Sequence, residues 1–409
     1  MKILATTLNL WLGGGKLPNE HLIIKHGETL YKKFVLHPLK RRLAKYYLIF
    51  LKLFFGTKVI GITGSAGKTT TKEMLASILS LEEETVATDA NIDPVYNIPT
   101  TILKCGPSTK FLVLEMGVEY PGEMDFYLWL AKPDIGVITN ISATHTLYFG
   151  DVKGVLKEKS KLVKSLSKND FAILNSEDKS TELIKKKTKA KLVFFGENGE
   201  IKVKNISLDL SGTKFTLISN NDEIPVKIPI IGRQFVNNAL AASAVAFALG
   251  ITFSSIKKGL QSFKPAKHRM KVFVGTKRSL IIDDSYNNNP AAAREALKTF
   301  IQIAAKKRKI LVFGDMLELG KNEKRYHAEI GRTILDLNLD NLICVGELSK
   351  ETCKIAAKGV TGKAFWAKDW RQAYKFLLPL LDRNNTVLIK GSRSLGLDQL
   401  VSRLSLSAF

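Results

Sequence analysis

The chain has 409 residues, 45% of them apolar, enough to bury two or three domain cores and too apolar for a disordered protein. Cys105, Cys344 and Cys353 are odd in number and form no C-x-x-C pair, which argues against a disulfide framework or a zinc site and favours a reducing cytoplasm. The net charge of +24 is spread along the chain without interleaved aromatic residues, so no nucleic-acid partner is expected.

The first twenty residues lack a small-residue cleavage site, and no signal peptide is expected. "LKRRLAKYYLIFLKLFFG", Leu39 to Gly56, reads as a basic, aromatic helix. Its longest uncharged run, Tyr46 to Leu51, is far short of the ~20 residues that span a bilayer, so it either rests on an anionic membrane face or packs on the next domain. Residues 1–55 are read as a separate amino-terminal segment, associated with substrate or with a membrane surface.

From residue 58, strands alternate with helices. "KVIGIT" runs into a glycine-rich turn, and Lys68 to Ser80 has helical spacing with Met74, Leu75, Ile78 and Leu79 on one side. "FLVLEMG", "DIGVITNI" and "DFAILNSE" continue the pattern of a parallel sheet covered on both faces. Between about 191 and 231 the period falls to two, predicting a small antiparallel insert. The alanine-rich helix "GRQFVNNALAASAVAFALGI" and a linker around Pro265 follow, and a second alternating series begins with "SLIIDDSYN". The expectation is an α/β protein: a central domain over 56–266 that opens on a P-loop-like glycine-rich turn, its sheet mostly parallel, then a Rossmann-like α/β domain over 267–409.

"GITGSAGKTTTKEML" does not fit the usual G-x-x-x-x-G-K-[ST] spacing, because five residues before Gly67 stands Ile62. The strand, turn and helix start nevertheless suit a phosphate. Gly64, Ser65, Ala66 and Gly67 present backbone N–H groups, Lys68 reaches phosphate oxygens, and Thr69 or Thr70 can hold magnesium. Glu115, closing "FLVLEMG", supplies a hard oxygen at the sheet's carboxyl edge, where a plain solvent-facing glutamate is the alternative. His145 lies just beyond the next strand, and a lone histidine there is more often structural than functional. Lys157, Lys159 and Lys161 would ordinarily be read as solvated helix positions, and periodicity assigns chemistry to none of them.

The loop, with "LEMGVEYPGEM", "DIGVITNISATH", "IIDDSYNNNP", "VFGDMLELG" and "LIKGSRS" in this order, resembles the Mur ligases, ATP-dependent amide-forming enzymes of peptidoglycan precursor synthesis. The resemblance covers about residues 56–405 and is to the branch that adds D-alanyl-D-alanine to a UDP-muramoyl tripeptide. It implies that the shortened G-x-x-G-K-T-T loop binds ATP, that Lys68 neutralises the transferring phosphate, and that Thr69 and Glu115 bind one magnesium ion while His145 helps bind a second. It also implies a carbamylated lysine that bridges metal, matched by Lys159 with Lys157 as the near alternative. Arg269 resembles a nucleotide-contacting arginine, Asp284 a ribose or metal contact, and Asn287 and Asn289 the adenine-holding residues. An asparagine-rich turn capping the helix after Pro290 is the simpler account of "DDSYNNNP", compatible with that role.

The implied substrates are a UDP-linked muramoyl peptide and D-alanyl-D-alanine, used by a cytoplasmic monomer whose basic helix can touch the inner membrane face. Three features depart from the family pattern: residues 1–55 are few for a uridine-binding domain, Lys271 stands where an acid is common, and "NIDPVYNIP" replaces an asparagine-rich substrate loop. The rival readings are a Mur-like amide ligase acting on another carboxylate and a membrane-surface nucleotide-binding scaffold without turnover.

Overall fold

A computed structural model describes residues 2–22, 29–219, 222–304 and 307–405, with side chains of 2–6 and 22 excepted. The remaining positions of the predicted 1–55 segment, antiparallel insert and 267–409 domain lie outside the described residues. The chain forms two compact units, one comprising Met1–Asn205, Phe215–Lys227 and Val236–Lys264, the other Ile206–Lys214, Ile228–Phe235 and Pro265–Phe409.

In the first unit the apolar run Lys58–Thr63 forms β1, buried from its second residue onward, as a strand with both faces covered must be. The following strands are β2 (Thr85–Ala87), β3 (Phe111–Glu115), β4 (Ile135–Ile138), β5 (Phe171–Asn175), β6 (Lys191–Phe195), β7 (Ile201–Asp209), β8 (Gly212–Ser219) and β9 (Asp222–Ile228). They make a nine-stranded sheet in the order β2-β3-β1-β4-β5-β6-β7-β8-β9. Pairings from β2 through β7 are parallel. The period-two stretch supplies β7 to β9, whose two-residue connections only antiparallel neighbours can use. β1 is flanked by β3 and β4, so the carboxyl ends of three adjacent strands open together where the glycine-rich turn begins.

Helices α1 (Lys2–Gly13), α2 (His37–Phe55), α3 (Lys68–Leu79), α4 (Pro94–Ile102), α5 (Glu123–Leu130), α6 (Thr146–Phe149) and α7 (Val152–Lys159) are the ones that frame the site. α2 starts with Pro38 in its first turn and stops at Gly56, whose φ of 69° is the left-handed cap that glycine adopts without strain. Its Ala44, Leu48 and Leu51 share one core with Val95, Ile98 and Ile102 of α4 and Met124, Phe126 and Tyr127 of α5. One face of the basic, aromatic helix thus packs on α4 and α5, and residues before β1 belong to the same compact unit as the loop.

The second unit contains β10 (Lys271–Val274), β11 (Leu280–Asp284), β12 (Arg308–Gly314), β13 (Asn341–Val345), β14 (Lys363–Ala367) and β15 (Asn385–Lys390), in the order β10-β11-β15-β12-β13-β14. Only the β10–β11 pairing is antiparallel; the rest are parallel. Ile281, Val312, Ile343, Val387 and Ile389 fill its core against Trp370, Leu377 and Leu400.

Candidate nucleotide and metal site

The turn from β1 to α3 is held by its neighbour β4. The backbone N–H groups of Ser65 and Ala66 donate to Asn140 Oδ1 at 3.1 and 2.9 Å, and Thr139 Oγ1 donates to Ala66 O at 2.6 Å. Ser65 Oγ donates to Ser142 O at 3.0 Å. Gly64 and Gly67 have φ values of 150° and 84°, conformations open to glycine. A Cβ on Gly64 would collide with Thr139 Oγ1, and one on Gly67 with Asn238 Oδ1. The turn is therefore packed closely against Thr139 and Asn238, with the Ser65 and Ala66 N–H groups held by Asn140.

Lys68 begins α3 and its Nζ donates to Gly64 O at 3.0 Å, folding the ammonium back over the turn. One residue on, Thr69 Oγ1 donates to Glu115 Oε1 at 3.1 Å, so the hydroxyl and the carboxylate paired in the sequence reading meet at the ends of β1 and β3. Thr70 is buried beside it. Hydroxyl and carboxylate oxygens are the donors a magnesium ion takes, with phosphate and water completing the shell. Among the described residues no group of three or more His, Cys, Asp or Glu is placed to hold a metal ion. His145 takes a left-handed conformation, φ 52°, and starts α6, its carbonyl accepting from Tyr148 and Phe149 N–H.

α7 separates the lysines that periodicity could not. Lys157 is exposed, whereas Lys159 is 1% exposed. Burial and the nearby Lys68 ammonium hold the Lys159 amine well below the ordinary lysine range, against the opposing pull of Glu123 and Glu158. Those carboxylates are fixed by the turn before α5: Glu158 Oε1 accepts from Gly122 and Met124 N–H, both at 3.0 Å, and Glu123 binds buried His21 at 2.6 Å. Lys161 is engaged by Asp125 at 2.6 Å and Glu158 at 2.7 Å.

The second unit places its candidates at the carboxyl end of β11. The Arg269 guanidinium lies 4.3 Å from the Tyr286 ring centroid, with Arg393 at 5.3 Å from the same ring. Arg269 Nε is buried without a hydrogen-bond partner among the described residues. Asp284 forms a buried ion pair with Lys390 at 2.7 Å, and Lys390 also donates to Asn287 O at 3.0 Å. Asn289 caps the helix Pro290–Ile303 through Ala292 N–H at 2.9 Å, so the capping account of the asparagine-rich turn holds for it. Asn288, not singled out from sequence, donates to Gly314 O at 2.9 Å. Asn140, Asn238, Tyr286 and Lys390 also escaped the sequence reading. Asn140 and Lys390 stand inside the quoted runs "DIGVITNISATH" and "LIKGSRS", two residues past the end of β4 and at the last residue of β15, which was the available signal.

Residues 62–246 match the Mur ligase middle domain, and residues 268–393 match the Mur ligase glutamate ligase domain. The UDP-N-acetylmuramoyl-tripeptide–D-alanyl-D-alanine ligase of Buchnera aphidicola subsp. Baizongia pistaciae is 37% identical over 351 residues, 85% of this chain and 75% of that protein. A crystal structure of MurF from Acinetobacter baumannii superposes with a TM-score of 0.81 at 32% identity, covering 89% of this chain and 79% of the other. The MurF ligase of Thermotoga maritima, solved in complex with ADP, gives a TM-score of 0.79 at 25% identity, covering 89% and 82%. On the two matched domains and these likenesses, the chain belongs to the Mur ligase family, in its UDP-N-acetylmuramoyl-tripeptide–D-alanyl-D-alanine ligase branch, and is an ATP-dependent peptide ligase.

Proposed function

We propose that this enzyme joins D-alanyl-D-alanine to a UDP-N-acetylmuramoyl tripeptide in peptidoglycan precursor synthesis, through an acyl phosphate. The observation that carries the reading is the meeting of Lys68, Thr69 and Glu115 around the glycine cradle, in a chain similar over most of its length to enzymes named for this reaction. A carboxylate oxygen of the acceptor peptide attacks the γ-phosphorus of ATP, and ADP leaves. The dipeptide amine then attacks the acyl carbon, loses a proton and expels phosphate as the amide forms. Gly64, Ser65, Ala66, Gly67 and Thr70 line the phosphate cradle, and Lys68 spreads positive charge over the oxygens that carry the developing negative charge.

Thr69 and Glu115 would hold one magnesium ion and His145 with Lys159 a second, and the metal would supply charge neutralisation of the phosphates. The Lys159 role requires a carbamate: the neutral amine adds to carbon dioxide and releases a proton, replacing a cation with one negative charge shared over two oxygens. Burial and a depressed amine favour that addition at Lys159 over exposed Lys157. In the second domain, the reading takes 267–409 as the amine-delivering part and Arg269, Asp284, Asn287 and Asn289 as nucleotide-binding residues; Arg269 Nε, buried without a partner among the described residues, supports a ligand there. The enzyme is read as a cytoplasmic monomer in peripheral contact with the inner face of the membrane, with 1–55 as its accessory segment and 56–266 as its ATPase domain.

Phosphate release measured with D-alanyl-D-alanine across uridine-linked and unlinked acceptor peptides tests the assignment. Fast release restricted to uridine-linked tripeptides supports it. Preference for an unlinked carboxylate establishes the rival amide ligase, and ATP binding without amine-dependent release establishes the scaffold.

A further inference from the structure

The same helix that packs into the first unit leaves its other face bare. Leu39, Leu43, Tyr46, Phe50, Leu53 and Phe54 recur every three or four residues and are 45–75% exposed. Among the described residues 22 large apolar side chains are exposed, and 15 of them fall within the first 55 positions, so the apolar exposure is concentrated on one segment. The helix's 19 residues extend about 28 Å, and no described helix is long and apolar enough to cross a membrane.

Cations border this stripe. Lys40 donates to Thr100 Oγ1 at 2.8 Å, Arg42 to Leu10 O at 2.7 Å, and Lys52 to Asp134 at 2.9 Å, while Lys45 lies 4.4 Å from the Trp129 ring centroid. These half-buried side chains lie back along the protein and leave the apolar groups outermost. Exposed Lys58, Lys110 and Lys132 stand about the carboxyl end of α2: Lys110 Nζ is 3.8 Å from where a Gly56 Cβ would be, Lys58 N–H bonds Lys110 O, and Lys52 bonds Lys132 O. From residue 29 to 58 the sequence has eight Lys or Arg and no Asp or Glu.

We infer that the exposed face of α2 docks in the headgroup region of an anionic lipid bilayer, lying parallel to the surface with Tyr46, Phe50, Leu53 and Phe54 inserted. An apolar stripe between cations, on a helix too short to span, is the arrangement that favours lying in the interface. A second copy of this chain is the less suitable occupant, because a two-fold contact through α2 brings two acid-free basic segments together. The inference rests on the peripheral membrane contact proposed above and not on the ligase chemistry.

Full-length protein is sedimented with vesicles of phosphatidylglycerol and phosphatidylcholine, and separately with phosphatidylcholine alone, at 0.05 and 0.5 M salt. Phosphate release is measured on the same samples. Binding to the anionic vesicles, weakened severalfold by salt, is expected, and a Tyr46→Ser, Phe50→Ser, Phe54→Ser variant should bind at least tenfold less while keeping wild-type melting and turnover. Binding that survives the triple substitution overturns the assignment to this face. Full-length protein that ignores anionic vesicles at low salt overturns the proposal outright, and so does self-association that the triple variant abolishes without vesicle binding. Loss of phosphate release with vesicle binding intact counts against the ligase reading alone.

Discussion

Replacing Gly64 with alanine should damage the enzyme more than replacing Gly67, although both glycines have positive φ. At Gly64 the new Cβ meets Thr139 Oγ1, with the backbone nitrogen of Asn140 3.2 Å away. Thr139 has little freedom to move, since it is β-branched and its hydroxyl donates to Ala66 O at 2.6 Å. An unfavourable backbone conformation costs about 1–3 kcal/mol and overpacking about 1–3 more, so Gly64→Ala should cost roughly 2–6 kcal/mol. At Gly67 the Cβ meets the tip of the Asn238 side chain, which can swing away, leaving mainly the backbone cost of about 1–2 kcal/mol. Thermal unfolding and calorimetric titration with magnesium ATP read both effects. Gly64→Ala should lower the melting temperature by at least ~4 °C and weaken ATP binding tenfold or more, with Gly67→Ala milder in both. Wild-type melting and affinity in Gly64→Ala, or the opposite ranking, would refute the cradle geometry.

Lys68→Ala should reduce turnover a hundredfold or more, about 3 kcal/mol of transition-state stabilisation, with the fold retained by circular dichroism. Lys159→Ala should be inactive and partly rescued by short carboxylates in steady-state assays, while Lys157→Ala stays near wild type; the converse pattern would move the carbamate by two residues. Lys390→Ala should destabilise the second unit by about 3–5 kcal/mol in urea unfolding, because it strands the buried Asp284 carboxylate. Cys105, whose thiol burial pushes up to about 12, should resist iodoacetamide at pH 8 as long as the protein is folded, since thiolate is the reactive form.

The loop was legible because its chemistry is local: a buried strand, two glycines, a lysine and threonines at a helix start are consecutive in the chain. Glu115 was legible at one remove, as the last residue of an apolar strand, and it pairs with Thr69. Asn140 was not, because its role depends on β4 lying beside β1, a pairing no local pattern carries. The choice between Lys157 and Lys159 was equally hidden. α7 turns Lys159 inward where Glu158 is tied to the turn before α5, a contact between residues 34–36 apart. For α2 the composition announced a basic, aromatic helix compatible with membrane or packing. Which face was buried depended on α4 and α5, and the outward face became visible only once the cations were seen lying back along the protein.

The central claim is that an acceptor carboxylate is activated by ATP and then captured by the dipeptide amine. It is tested most directly with a UDP-linked muramoyl tripeptide carrying ¹⁸O in its reacting carboxylate, incubated with enzyme, magnesium ATP and D-alanyl-D-alanine. The account predicts that each amide formed is matched by one released phosphate bearing a single ¹⁸O atom, with no comparable release when the dipeptide is omitted. Phosphate without the label, or released at the same rate without the dipeptide, would contradict it.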